Sequence, residues 1–194
     1  MLGARASPNY PSEIRAARFS LDDLGRMAYR IYPATNTVDF DPVASLFREY
    51  ARELGVDLTF QGFDDEVANL PGDYGSPNGA LLLARAASGD ALGCVALRPL
   101  AEAGTCEMKR LYVRPAGRGL GVGRALASAI ITVAAERGYW RMRLDSLSTL
   151  RAAIGLYRSL GFAPTEAYYE TPLAGTLFMA REIDPPRSDL PASL

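Results

Sequence analysis

The sequence of 194 residues predicts a single α/β domain. Three observations carry that reading. Three short apolar runs lie close together between turn signals, as in an antiparallel meander; one long amphipathic helix is entered through a glycine-rich turn; and a strictly alternating apolar and polar segment follows that helix.

Taken in order, residues 1–26 mix Arg, Ser and Pro without periodicity and read as a flexible N-terminal extension, leaving residues 27–183 as the domain. Ala28 to Pro33 is a short strand. Asp41-Pro42 reads as a helix start, an N-cap followed by proline at the first helical position, with Val43, Leu46, Phe47, Tyr50 and Leu54 at helical spacing and Gly55 as the stop. A second short helix spans Asp64 to Leu70 and ends at Pro71-Gly72. The meander is Ala80 to Ala86, Gly93 to Leu97 and Thr105 to Val113. The longest helix runs from Gly121 to Arg137 with Gly138 as its cap. Trp140, Met142 and Leu144 then alternate with Arg141, Arg143 and Asp145 as a half-buried strand. A last helix, Ser148 to Leu160, stops at Gly161, with Phe162 placed to fold back on its final turn. Strands at Ala163 to Tyr169 and Thr176 to Glu182 flank a loop, and residues 184–194, rich in Pro and Ser, read as a disordered tail.

Composition removes several function classes. The chain has no histidine, which excludes Ser-His-Asp and Cys-His relays and paired-histidine metal motifs. Lys109 is the only lysine and stands in no Walker-type loop. Cys94 and Cys106 are too far apart for a four-ligand zinc site and read as buried free thiols, so no metal is expected. A formal net charge of -1 offers no footprint for nucleic acid. The longest apolar stretch, Ala125 to Ala135, falls short of the ~20 residues of a membrane span. A cytoplasmic protein is the expectation.

The chemistry is concentrated in Val113-Arg114-Pro115-Ala116-Gly117-Arg118-Gly119-Leu120-Gly121-Val122-Gly123-Arg124, which joins an apolar strand to the long helix. Glycines there let backbone N–H groups approach an anion, the helix start adds partial positive charge, and Arg118 and Arg124 add full charges; pyrophosphate is the natural guest. A dinucleotide fingerprint fails on register, since the sixth position counted from Gly119 is Arg124 and from Gly121 is Leu126.

The alternating glycines with Val-x-Pro upstream resemble the acyl-CoA-binding motif of the GNAT superfamily of N-acyltransferases, matched by Arg118, Gly121 and Gly123. The resemblance covers roughly Ala28 to Ile183 and implies a single mixed, largely antiparallel sheet, splayed around an acyl-CoA cleft, with helices on both faces. It further implies that Gly119, Leu120, Val122 and the residues just named hold the pyrophosphate, and that Leu111, Tyr112 and Val113 pair with the pantetheine arm like an added strand. Tyr157 matches the family's tyrosine near the CoA sulfur, the proton donor to the departing thiolate; helical spacing with Leu150, Ala153 and Ile154 allows a packed core ring as well. Glu107 stands where several relatives hold a general-base glutamate, while Lys109 or Arg110 could instead pair with it. By strict alternation Glu107, Lys109, Leu111 and Val113 share a face unless the strand is bulged. Many relatives carry asparagine where this chain has Leu150. Asp64, Asp65, Glu66 and Asp73 are either a solvated run or a lure for a cationic amine; Tyr168, Tyr169 and the loop Thr171 to Gly175 are further candidates for acceptor contacts.

The function so implied is transfer of an acetyl or short acyl group from acetyl-CoA to a primary amine by direct attack, without a covalent intermediate. The alternative is an acyl-CoA sensor of the same fold without turnover, for which Leu150 is the argument. The acceptor is open, and so is the oligomeric state, a homodimer included.

Overall fold

The computed structural model describes residues 29–184; the predicted extension and nearly all of the predicted tail lie outside them. Seven strands form one sheet: β1 (Tyr29–Pro33), β2 (Ala80–Ala86), β3 (Ala91–Pro99), β4 (Thr105–Val113), β5 (Arg141–Leu147), β6 (Ala163–Pro164) and β7 (Thr176–Glu182). Their spatial order is β1-β2-β3-β4-β5-β7-β6, and every pairing is antiparallel except the parallel contact of β4 with β5. The mixed, largely antiparallel sheet is the expected one, and β2, β4 and β7 have the expected bounds.

Helices α1 (Thr37–Leu54) and α2 (Phe63–Ala68) cover one face; α3 (Val122–Glu136) and α4 (Arg151–Ser159) cover the other. Alternation along the strands divides the core accordingly. Leu82, Val95, Met108 and Met142 pack with Leu126 and Ile130 of α3, whereas Leu83, Cys94 and Ala96 pack with Val43, Leu46 and Phe47 of α1.

Strand β3 is longer than expected at both ends and α2 is shifted toward the N-terminus, and four further departures have a physical cause. The first helix begins at Thr37 with Asn36 as N-cap, so Pro42 lies inside it. The additional turn is anchored by buried Asp39, whose Oδ1 accepts from the Tyr32 hydroxyl and from Arg85 Nη2, each at 3.4 Å; this offsets the one i→i−4 hydrogen bond, to Val38 O, that Pro42 gives up as the sixth helical residue. Trp140 is 47% exposed and precedes the strand, its indole lying over Gly104, where any Cβ would collide with it. The last helix is shorter, with Leu150 as N-cap, but Phe162 does fold back, its N–H on Tyr157 O at 3.0 Å and the two rings 6.0 Å apart. Strand β6 stops at Pro164, because the chain turns so that Tyr168 and Tyr169 pack edge-on against Phe178, each with centroids 5.2 Å away.

Candidate active site

The site begins as a defect in the sheet. Pairing of β3 with β4 shifts register between Cys94, opposite Tyr112, and Ala96, opposite Lys109. Arg110 sits in this bulge with φ of 56°, a left-handed conformation that residues other than glycine seldom adopt. The bulge overturns strict alternation. Cys106 and Met108 join the α3 core, so Glu107 and Lys109 point toward α1 and α2; beyond Arg110 the phase resets, Leu111 and Val113 packing on the α3 side and Tyr112 with α1.

A buried clamp holds the bulge. Arg110 donates to Glu66 of α2 through Nε at 2.8 Å and Nη2 at 2.6 Å, and its guanidinium lies 5.0 Å from the Phe63 ring centroid. Glu66 also accepts from the Tyr74 hydroxyl at 2.8 Å. It is therefore no member of a solvated run, although Asp64 and Asp65 beside it are exposed. Burial alone would raise the Glu66 carboxyl, but the hydrogen bonds and charge of Arg110 outweigh it and hold the group below its ordinary value.

Next to the bulge the sheet opens. Strand β4 pairs with β5 only at Thr105, Cys106 and Glu107, opposite Arg141, Met142 and Arg143, and the strands then part. A cavity of about 60 Å³ occupies the gap, with Leu111, Leu147, Leu150 and Tyr157 among its apolar walls and Gln61, Lys109 and Asp145 among its polar ones. Tyr157 thus has both features the sequence left open: its ring packs in the core, and the residue lines the gap. Burial raises its phenol above the ordinary value, so it stays protonated through neutral and mildly alkaline solution. Leu150 makes an apolar wall and caps α4 with no side-chain hydrogen bond. A larger cavity of about 420 Å³ lies elsewhere, between the β1–α1 connection, residues 71–82 and α3, and shares no lining residue with the gap.

The glycine-rich turn runs from the end of β4 into α3. Gly119 and Gly121 have φ of 77° and 79°, and Gly121 is the N-cap of α3. The first helical bond closes from Ala125 N–H to Gly121 O at 3.0 Å, so the N–H groups of Val122, Gly123 and Arg124 precede any helical acceptor. A Cβ on Gly123 would lie 3.6 Å from Val113 and 3.9 Å from Leu156, which places the helix start between β4 and the turn of α4 that carries Tyr157. Both arginines are exposed and engaged: Arg118 Nη2 bonds both Glu53 oxygens at 2.5 and 2.6 Å, Arg118 Nε donates to Val113 O, and Arg124 donates to Ser159 Oγ at 2.7 Å. Tyr112 donates to the same Glu53 at 3.0 Å. Leu120 is exposed beside them. The turn thus presents backbone donors that no helical acceptor uses, flanked by two exposed arginines, an arrangement able to receive an anion.

Glu107 has 0% exposure. Its Oε2 accepts from Arg98 Nε at 2.7 Å and its Oε1 from the Tyr168 hydroxyl at 2.7 Å, with Lys109 Nζ 3.8 Å from Oε1. The cation paired with it is thus Arg98 in preference to Lys109 or Arg110. Lys109 Nζ donates to Asp145 at 3.1 Å and to Gln61 at 3.4 Å. Arg98, Asp145 and the clamp partner Glu66 were not singled out for these roles in the sequence, where each is one charge among many. Cys94 and Cys106 are buried and free; burial raises both thiols, that of Cys106 to about 12, so neither is a nucleophile. Among the described residues no acidic, cysteine or histidine cluster could hold a metal ion, and no helix is long and apolar enough to cross a membrane.

Comparison with known proteins identifies the family and agrees with the fold. The pattern of the Acetyltransferase (GNAT) family matches residues 43–162. An uncharacterized N-acetyltransferase of Schizosaccharomyces pombe is 49% identical over 145 residues, which is 75% of this chain and 89% of that protein. Among solved structures, a putative acyl-CoA N-acyltransferase from Klebsiella pneumoniae aligns with a TM-score of 0.64 and 28% identity over 80% of this chain and 98% of that one. The fold is shared too by an acetyltransferase from Salmonella typhimurium solved with its cofactor acetyl-CoA, with a TM-score of 0.61 and 23% identity over 86% of this chain and 99% of that one.

Proposed function

Because the chain belongs to the GNAT family of acetyltransferases, we propose that it moves an acetyl or short acyl group from acetyl-CoA to a primary amine by direct attack. The observation that carries this reading is the juxtaposition of three parts at the opening between β4 and β5: the anion cradle at the start of α3, the unpaired edge of β4, and Tyr157 in the wall of the gap.

The residues fit the donor. Backbone N–H groups from Gly119 to Arg124, with Arg118 and Arg124, would hold the pyrophosphate. The parted edge of β4 at Leu111, Tyr112 and Val113 would pair with the pantetheine arm, and a backbone N–H there would stabilise negative charge on the acyl oxygen. Acetyl-CoA, when bound, supplies the thioester. Tyr157 gives its proton to the departing sulfur, and Glu107 is the final acceptor of the proton that the amine loses. Buried free thiols suit the reducing cytoplasm.

Leu150, an apolar wall where many relatives carry asparagine, favours one rival, a module that binds acyl-CoA without turnover. Thiol release from acetyl-CoA across a panel of amines separates the two. Steady, amine-dependent release above hydrolysis supports the enzyme; stoichiometric binding with release no faster than hydrolysis for every amine supports the module.

A further inference from the structure

We propose that Tyr168 is the proton relay between the acceptor amine and Glu107, an inference that rests on the reading of Glu107 as the final base. Glu107 is fully buried, so no acceptor amine can touch it. Three side chains do reach its oxygens, and their chemistry selects one. Arg98 holds Oε2 at 2.7 Å but does not give up a proton in a protein. Lys109 is 3.8 Å from Oε1, beyond hydrogen-bond length, and its ammonium has donors only, already directed at Asp145 and Gln61. The Tyr168 hydroxyl, 2.7 Å from Oε1, both donates and accepts.

Its position suits the task. Tyr168 is half-buried, next to Tyr169, whose hydroxyl lies 3.5 Å from Gln61 Nε2 in the wall of the gap. The ring is fixed edge-on by Tyr169 at 5.3 Å and Phe178 at 5.2 Å, with the Arg143 guanidinium 5.4 Å from its centroid. In the step, an ammonium N–H bond breaks as its proton joins the Tyr168 oxygen, and the Tyr168 O–H bond breaks as its proton joins Glu107 Oε1. The amine is left with a free electron pair, Tyr168 is neutral before and after, and Glu107 becomes a neutral acid that returns its proton to solvent by the same hydroxyl. Burial and the Glu107 charge raise the Tyr168 phenol well above its ordinary value, which agrees with a relay that never rests as phenolate. The charged groups bearing on this path are Arg98 from β3, Lys109 from β4, and Arg143 and Asp145 from β5; the neutral, titratable Tyr169 phenol faces it from the same loop.

The test compares Tyr168→Phe, Glu107→Gln and the double variant, using acetyl-CoA and the alkylamine that best supports thiol release, across pH. Each single variant is expected to lose about 10²-fold in kcat/KM for the amine near neutral pH. The double variant should lose no more than the singles, because both act on one proton path. Affinity for acetyl-CoA should be unchanged in all three. The deficit of Tyr168→Phe should shrink as pH approaches roughly 10, where an alkylammonium loses its proton to water. A wild-type rate in Tyr168→Phe beside an impaired Glu107→Gln overturns the relay and leaves the carboxylate base standing. Losses that multiply in the double variant overturn it as well, and wild-type rates in both singles retire the carboxylate path altogether.

Discussion

Arg110 and Arg118 make nearly the same bond in opposite surroundings. Each guanidinium reaches both oxygens of a helical glutamate at 2.5 to 2.8 Å, Arg110 those of Glu66 and Arg118 those of Glu53. The side chains of the first pair are 3% and 15% exposed; those of the second are 47% and 49% exposed. Buried, the pair holds a shape, since it fastens a left-handed residue into the bulge and ties α2 to the strand that opens the cleft. Exposed, it holds almost nothing, because water and salt compete for both partners; under the proposed function it leaves Arg118 free to exchange Glu53 for a phosphate. The proposed site follows the same division: the residues assigned to the donor lie on an exposed turn, and those assigned to the acceptor side are buried and paired.

The division also sets what the sequence could say. The donor half is legible because it is contiguous: Arg118, Gly121 and Gly123 stand in one turn, and spacing alone separates them from a dinucleotide motif. The acceptor half joins residues far apart in the chain, Arg110 with Glu66 at a separation of 44 and Tyr168 with Glu107 at 61. Nothing local marks those pairings. The sequence leaves a bulge in β4 open but does not locate it at Arg110, and the bulge changes which face every later residue of β4 takes. Early helix growth through Pro42 was missed for the same reason, since the anchor of that turn, Asp39, is held by Arg85 in another strand.

The donor half breaks most completely at its glycines. Gly123→Asp should fold, because a Cβ there meets only ordinary contacts, yet it sets a carboxylate against the pyrophosphate. Calorimetric titration should show CoA affinity lost by at least ~10-fold, with dephosphorylated pantetheine unaffected. Gly121→Val is the poorer probe, since φ of 79° strains a β-branched residue and would confuse folding with binding. Undiminished CoA affinity in Gly123→Asp would remove the anion cradle from the site.

Between the halves stands Tyr157. Replacing it with Phe keeps the packing on Phe162 and removes only the proton, so kcat should fall about 10²-fold while acetyl-CoA affinity holds. A wild-type kcat, with chemistry shown to limit the rate, would make Tyr157 a core ring only.

For the acceptor half, stability is the sharper measure. Glu66→Ala strands the buried Arg110 charge and should destabilise the fold by about 3–5 kcal/mol in chemical denaturation. The sign of its pH dependence follows from the folded carboxyl lying below its ordinary value near 4.5. The contribution of the pair is full above that value and is lost as pH falls through the depressed folded value, so wild type and variant should converge in acid. A difference that widens in acid would contradict the clamp.

The smallest effect tests the comparison most directly. Glu53→Gln removes the same kind of partner from Arg118, but both groups are about half exposed, and exposed pairs contribute roughly 0–1 kcal/mol. Denaturation midpoints should therefore barely separate. Binding should move instead: Arg118 is released, and a negative charge leaves the approach to the proposed phosphate site, so acetyl-CoA should bind more tightly by a small factor. That gain should fade as added salt screens the charge, since the Debye length falls to roughly 3 Å at 1 M. If Glu53→Gln instead weakens acetyl-CoA, Glu53 is holding Arg118 and Tyr112 in the geometry that the phosphates need, and the exposed pair shapes its half of the site as the buried pair does.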